Sequence, residues 1–442
     1  MDEVWRSELS EFIAIPSVSA DPAFREDVKR AGEWVCERIR QIGGSAELTP
    51  FGDKELALGE IPASSDPAGA PTVLCYGHFD VQPPAPLDLW ESDPFELSIR
   101  DDWAYARGIT DDKGQVFILL KAAQKLVEAS ALPVNLRFAC DGEEEIGGHT
   151  IVDYLAVDDR GADAAIIFDG GMLRLDVPVF DLATRGLIAF DLKVTTGERD
   201  LHSGMYGGAA LNAIHVLMRC FEAVLAGPDG RLPEPLRAGI APPTAAELAA
   251  WAALPPGADE LHGQGARPLD GRAEDEFYVR TWAEPSADVN GILGGKPGLR
   301  NTTLSVHASG EFTIRLAPGQ DVDTIGAAAE QLVRAAAPAG AEVDVRWAGS
   351  APGRVDPDAP TIRLGLQAFE QVLGVKPLLV RSGGTLPIMP ALEHKGIPTI
   401  LTGFGLPESN VHSPNEKFLV RYFEQGVDTA AALYTALGSL RA

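Results

Sequence analysis

Short apolar strands alternate with helix-period stretches as far as Phe168, and this alternation restricts the fold more than any other feature of the chain. Thr72–Tyr76, Val134–Cys140 and Ala164–Phe168 read as strands. Residues 22–42 place Phe24, Val28, Ala31, Val35 and Ile39 at helical spacing before Gly43-Gly44 stops the helix. Residues 113–128 put Val116, Leu119, Leu120, Ala123 and Val127 on one helical face, and a short helix is predicted over 148–157. Such alternation implies an α/β fold with a mixed, largely parallel sheet flanked by helices.

The middle of the chain breaks this rhythm. A strand over 187–196 and a helix over 209–226 precede a Pro/Ala/Gly-rich tract running to about Pro268. Strands follow over 303–307 and 311–316, then a helix over 324–337 and a strand over 342–347. The pattern predicts an inserted α+β module. After it, the α/β pattern resumes with a helix over 361–373, a glycine turn over 381–385, a strand over 399–402 and a final helix from about Val420. The expected division is a catalytic domain from 1–184 and 353–442, with 185–352 inserted.

Polar residues cluster at the downstream ends of the α/β strands. "CYGHFDVQPP" (75–84) sets His78 and Asp80 two positions apart, so in an extended chain both point to the same side. A carboxylate beside an imidazole is a common way to orient a histidine that ligates metal or transfers a proton. Further along come Asp111-Asp112-Lys113, Glu143-Glu144-Glu145, Asp169 and His412. Taken singly, the glutamates read as solvated charge and Asp111-Asp112 as a polar helix N-cap. In an open α/β sheet, however, the carboxyl ends of the strands form the ligand crevice. Two histidines and several carboxylates converging there suit a pair of zinc-like ions with one bridging carboxylate. A further, non-ligating glutamate would carry the proton, and adjacent residues such as Glu144 and Glu145 can divide those roles.

Other functions find less support. The net charge is −27, which disfavours nucleic acid or an anionic membrane as partner. No stretch is apolar enough to span a bilayer. Four scattered cysteines without a CxxC pair, and an acidic N-terminal stretch without a secretory pattern, lead us to expect a cytoplasmic protein. There is no GxSxG elbow and no HExxH.

With these residues in view, the chain resembles the M20 family of dinuclear zinc hydrolases, in its carnosinase-like and bacterial dipeptidase branch. The resemblance rests on eight ordered segments spread over nearly the whole length: "YGHFDVQPP", "ARGITDDKG", "DGEEEIGG", "IIFDGG", "RDLHSGMYGG", "FTIRLAPGQ", "RSGGTLP" and "NVHSPNEK". It implies that His78, Asp111 and Asp169 hold one ion, and that Asp111, Glu145 and His412 hold the other. The ions would be zinc, with manganese or cobalt also compatible. Asp80 would orient His78, Glu144 would be the general acid/base, and the Asp111–Asp112 peptide would be cis. The inserted module would be a lid and dimerisation domain. It would carry His202, which reaches a partner subunit's site in a homodimer, and the substrate-binding residues Thr302 and Arg315. Gly384 and Thr385 would complete the carboxylate subsite.

One position departs from the branch, which often has glutamate where this chain has Ser382. The expected activity is hydrolysis of dipeptides or short peptides with a free C-terminal carboxylate. Ser382 keeps open an N-acyl-amino-acid amidohydrolase or carboxypeptidase, and a non-catalytic metal- or peptide-binding relative stands as a third reading.

Overall fold

The computed structural model describes residues 1–296, 298 and 301–441, and the chain divides into two units. The first comprises Met1–Leu182, Val355–Val380 and Ile388–Ala442; the second comprises Ala183–Arg354 and Arg381–Pro387. The short segment 381–387 thus joins the second unit.

The first unit is built on a six-stranded sheet. Its order is Ser45–Phe51, Lys54–Ile61, Asn135–Asp141, Thr72–His78, Ala164–Phe168 and Thr399–Thr402. The last four strands run parallel, while the first two form an antiparallel hairpin that joins them antiparallel. All five residues of Ala164–Phe168 are buried, as expected for a parallel strand covered on both faces. Helices Lys113–Glu128, Pro360–Leu373 and Val420–Leu437 contribute Val116, Phe117, Phe369, Phe423 and Tyr434 to the same core as Val73, Cys75, Ile166 and Phe168. Parallel strands end at one edge, which brings His78, Asp141 and Asp169 to the same side of the sheet.

The second unit holds a four-stranded antiparallel sheet in the order Ser286–Leu293, His307–Leu316, Gly186–Thr195 and Glu342–Ser350. Ile188, Phe190, Leu192 and Val194 alternate inward and pack with Val216, Leu217, Ile325 and Val333 of helices Ala213–Glu222 and Val322–Ala336. Phe190 stacks on Phe312 at 4.4 Å between ring centroids.

Several elements differ from the sequence expectation. The strands expected over 303–307 and 311–316 are instead a two-residue strand, Thr303–Leu304, and one continuous strand, His307–Leu316. Ala308, Ser309 and Gly310 carry no strand signature, yet Ser309 and Gly310 are paired on both sides and Ala308 is paired with Val194. The helix expected over 209–226 is shorter, because the Asn212 side chain accepts the amides of Ile214 and His215 and caps its start. The hairpin over 45–61 and the helix Glu3–Ile13 have no counterpart in the sequence reading. The Pro/Ala/Gly tract contains short helices, one opened by a Thr244–Glu247 capping box.

Candidate metal centre

His78 ends its strand with its side chain fully buried. Nδ1 lies 3.2 Å from the Asp80 carbonyl oxygen and 3.3 Å from Asp80 Oδ1. A carbonyl oxygen only accepts, so Nδ1 carries a proton and Nε2 is the atom that faces the site. The carboxylate adds a negative charge beside the ring. Nε2 lies 2.9 Å from Asp111 Oδ1 and 3.9 Å from Asp169 Oδ1.

The other oxygen of Asp111 serves a second cluster. Oδ2 lies 2.9 Å from His412 Nε2, which is also 3.0 Å from Glu145 Oε2. One carboxylate therefore faces both histidines, one oxygen to each. The Asp111–Asp112 peptide is cis. Asp112 precedes helix Lys113–Glu128 but does not cap it; its Oδ2 accepts the amide of His78 at 3.1 Å. Gly77 makes room for this contact, since a Cβ there would lie 2.7 Å from that oxygen.

Tertiary contacts separate the three glutamates. Glu143 is buried, and its Oε1 accepts the amide of Thr150 at the start of helix Thr150–Val157. Glu145 reaches His412, while its Oε1 accepts the Gln82 amide at 3.1 Å. The Glu144 carboxylate makes no hydrogen bond among the described residues. Burial, with Asp111, Glu145 and Asp80 acting against His78, pushes its pKa up to about 7.

The electrostatics of both clusters favour a cation. Burial, with Asp112, Asp111 and Glu144 outweighing His78, raises Asp169 well above the usual carboxylate range. Hydrogen bonds with Asp111 and then Glu145 raise His412 to about 10, against burial. Burial opposes a charge on His78, but Asp111 and Asp80 overcome it and hold the imidazole well above its ordinary value. In each of the triads His78/Asp111/Asp169 and Asp111/Glu145/His412, one ligand atom per residue lies within 4.8 Å of the others. Imidazole nitrogen and carboxylate oxygen at that spacing are a donor set suited to zinc, manganese or cobalt.

The remaining candidates belong to the second unit. Arg315 Nη1 donates to Thr385 Oγ1 at 2.8 Å, leaving the rest of the half-buried guanidinium available. Arg185 holds the adjoining turn, with Nε on the Gly383 carbonyl at 3.2 Å and its amide on the Gly384 carbonyl at 2.9 Å. The Gly384 amide itself donates to Ser382 Oγ at 3.0 Å and is thus already engaged. His202 is exposed and pairs with Thr303, while the Thr302 carbonyl accepts the amide of Ser203 at 2.7 Å. His202 Nδ1 accepts the Gly204 amide at 3.1 Å, which leaves Nε2–H as an outward donor.

Two supporting residues escaped the sequence reading. Gln82 adds a second bond, from Nε2 to the Glu145 carbonyl at 3.0 Å. Gln115 Nε2 bridges the carbonyls of Thr110 and Gly170, and its Oε1 accepts the Phe404 amide at 2.8 Å. Both lie within or beside segments rich in polar residues, but an amide side chain carries no spacing signal of its own.

A family model described as peptidase family M20/M25/M40 matches residues 74–436. The cysteinylglycine-S-conjugate dipeptidase of Corynebacterium striatum is 30% identical, over 92% of this chain and 90% of its own length. The solved structure of the dipeptidase Dug1p from Saccharomyces cerevisiae superposes with a TM-score of 0.80 at 26% identity, covering 98% of this chain and 95% of that one. An M20 family metallo-carboxypeptidase, Sso-CP2 from Sulfolobus solfataricus, shares the fold with a TM-score of 0.88 at 24% identity, covering 99% of this chain and all of that one.

Proposed function

The chain belongs to peptidase family M20/M25/M40, and from that premise we propose that it hydrolyses the amide bond of dipeptides or short peptides bearing a free C-terminal carboxylate. His78, Asp111 and Asp169 would hold one divalent ion, and Asp111, Glu145 and His412 the other. The observation that carries this reading is Asp111, whose two oxygens each lie 2.9 Å from a different histidine.

When bound, the ions supply Lewis acidity at the substrate carbonyl and ease the ionisation of the attacking water near neutral pH. The protein's own residues do the rest. Glu144 accepts the proton of the attacking water and returns it to the leaving amine, a role supported by its unbonded carboxylate and a pKa raised to about 7. Arg315, steadied by Thr385, pairs with the substrate carboxylate through its planar fork. The outward Nε2–H of His202 suits an oxyanion, and we assign it to the site of a second copy in a homodimer. Four free, buried cysteines fit a reducing cytoplasm, and no helix among the described residues is long and apolar enough to cross a membrane.

The deciding experiment compares a free dipeptide with its N-acetylated form, using metal-reconstituted enzyme. Faster cleavage of the free dipeptide is expected. Cleavage of the acetylated form alone would overturn the dipeptidase reading.

A further inference from the structure

Glu416 and Arg107 form an ion pair whose side chains are at most 1% exposed, with Arg107 Nη1 2.6 Å from Glu416 Oε2. The same oxygen accepts the Gly108 amide at 2.9 Å. The other, Oε1, accepts the amides of Thr110 at 2.8 Å and of Asp111 itself at 3.1 Å. Arg107 Nη2 lies 3.4 Å from two carbonyls, Pro83 on the segment after His78 and Ser413 beside His412. The Glu416 carbonyl accepts the Ala106 amide, and the Lys417 carbonyl accepts Thr110 Oγ1. One buried pair therefore fastens together the segments that carry His78, Asp111 and His412.

The two clusters depend on this fastening unequally. His78 is buried at a strand end and Asp169 directly follows a strand. His412 has neither support: its side chain is 53% exposed, and it sits in a loop with φ +61°. Little packing fixes its ring, so its place opposite Asp111 is set by where its loop is tied down, at Ser413 and Glu416 by the buried pair and at Asn415 by exposed bonds with Glu91 and Leu89.

We propose that Glu416, with Arg107, is the positioning residue that holds His412 against Asp111 and thereby governs the affinity of the Asp111/Glu145/His412 site in particular. The inference rests on the two-ion reading above. Both Glu416 oxygens face only donors. Glu416→Gln keeps the side chain's shape but turns an NH2 group toward N–H groups, so the Asp111 loop and the His412 loop must separate. Arg107→Lys keeps the charge opposite Glu416 but gives up the planar reach to Pro83 and Ser413.

The test is an equilibrium titration of metal-free protein with Zn2+ against a chromophoric chelator. Wild type is expected to bind two ions per chain. Glu416→Gln should bind one ion with wild-type affinity and the other roughly 100-fold more weakly, with Arg107→Lys weakening the same ion roughly tenfold. Excess Zn2+ should restore Glu416→Gln activity at an unchanged KM. Equal weakening of both ions, or of neither, overturns the proposal. If Glu416→Gln does not fold, Arg107→Lys decides by the same titration. Wild type binding fewer than two ions would instead overturn the two-ion reading.

Discussion

Asp80 Oδ2 accepts the backbone amide of Glu145 at 3.2 Å. The other face of the same residue meets the ring of His78, so Asp80 supports one ligand from each triad. The His78 contact is fully buried and the Glu145 contact partly so, and away from solvent a hydrogen bond to a charged group contributes more than at the surface.

Asp80→Ala should therefore loosen both ions, each by about 10–100-fold. The Zn2+ titration described above reads this directly. Loss confined to one ion would show that Asp80 acts on a single ligand.

Glu144→Gln should lower kcat by about 10²–10⁴-fold while two ions remain bound. Glu144 must be ionised to accept a proton, and its raised pKa of about 7 leaves it protonated in acid. Nearby dications favour the ionised form and move that value downward. The acid limb of kcat/KM should then fall at or below neutral pH, with activity dropping as pH drops. A rate that climbs on acidification, or Glu144→Gln turnover equal to wild type, would remove Glu144 from the mechanism.

Ion binding should release protons. His412, raised to about 10, and His78, raised well above its ordinary value, are both protonated at neutral pH in the metal-free protein. Each must lose its Nε2 proton to become a ligand, so affinity should increase with pH. Calorimetry in buffers of different ionisation enthalpy should give at least two protons released for the pair of ions, with Asp169 and Glu144, whose carboxyls are also raised, adding to the two from the histidines. The stability these histidines lend the metal-free fold is complete below pH 6.5, and the share from His412 is lost as pH rises through about 10. Zero proton release would mean that neither imidazole is a ligand.

Arg315→Ala should reduce kcat/KM for a dipeptide by about 100-fold, the equivalent of one charge-assisted pair. The wild-type preference for a free carboxylate over a C-terminal amide should vanish with it. A variant that still discriminates between the two substrates would place carboxylate recognition elsewhere.

If His202 serves a partner's site, mixing Glu144→Gln and His202→Ala chains should restore activity. Random pairing gives half heterodimers with one intact site each, hence about a quarter of wild-type turnover. An inactive mixture, with heterodimers demonstrated by size and tag, would keep His202 within its own chain.

The α/β alternation, the side shared by His78 and Asp80 and the gathering of carboxylates at strand ends were all legible in the sequence. Each of these follows from backbone geometry between near neighbours: a period of two in a strand, 3.6 in a helix, and parallel strands that finish at one edge. The hairpin over 45–61 was illegible, because its half-exposed edge strand Ser45–Phe51 buries no residue fully and Lys54–Ile61 alternates only in part. The fold alone shows that Glu143 turns away to hold Thr150, that the Asp112 side chain grips His78 rather than capping its helix, and that Ser382 occupies the Gly384 amide. The bond from Glu416 to the Asp111 amide spans 305 positions. A contact at that range leaves no local period, because it depends on the path of the whole chain.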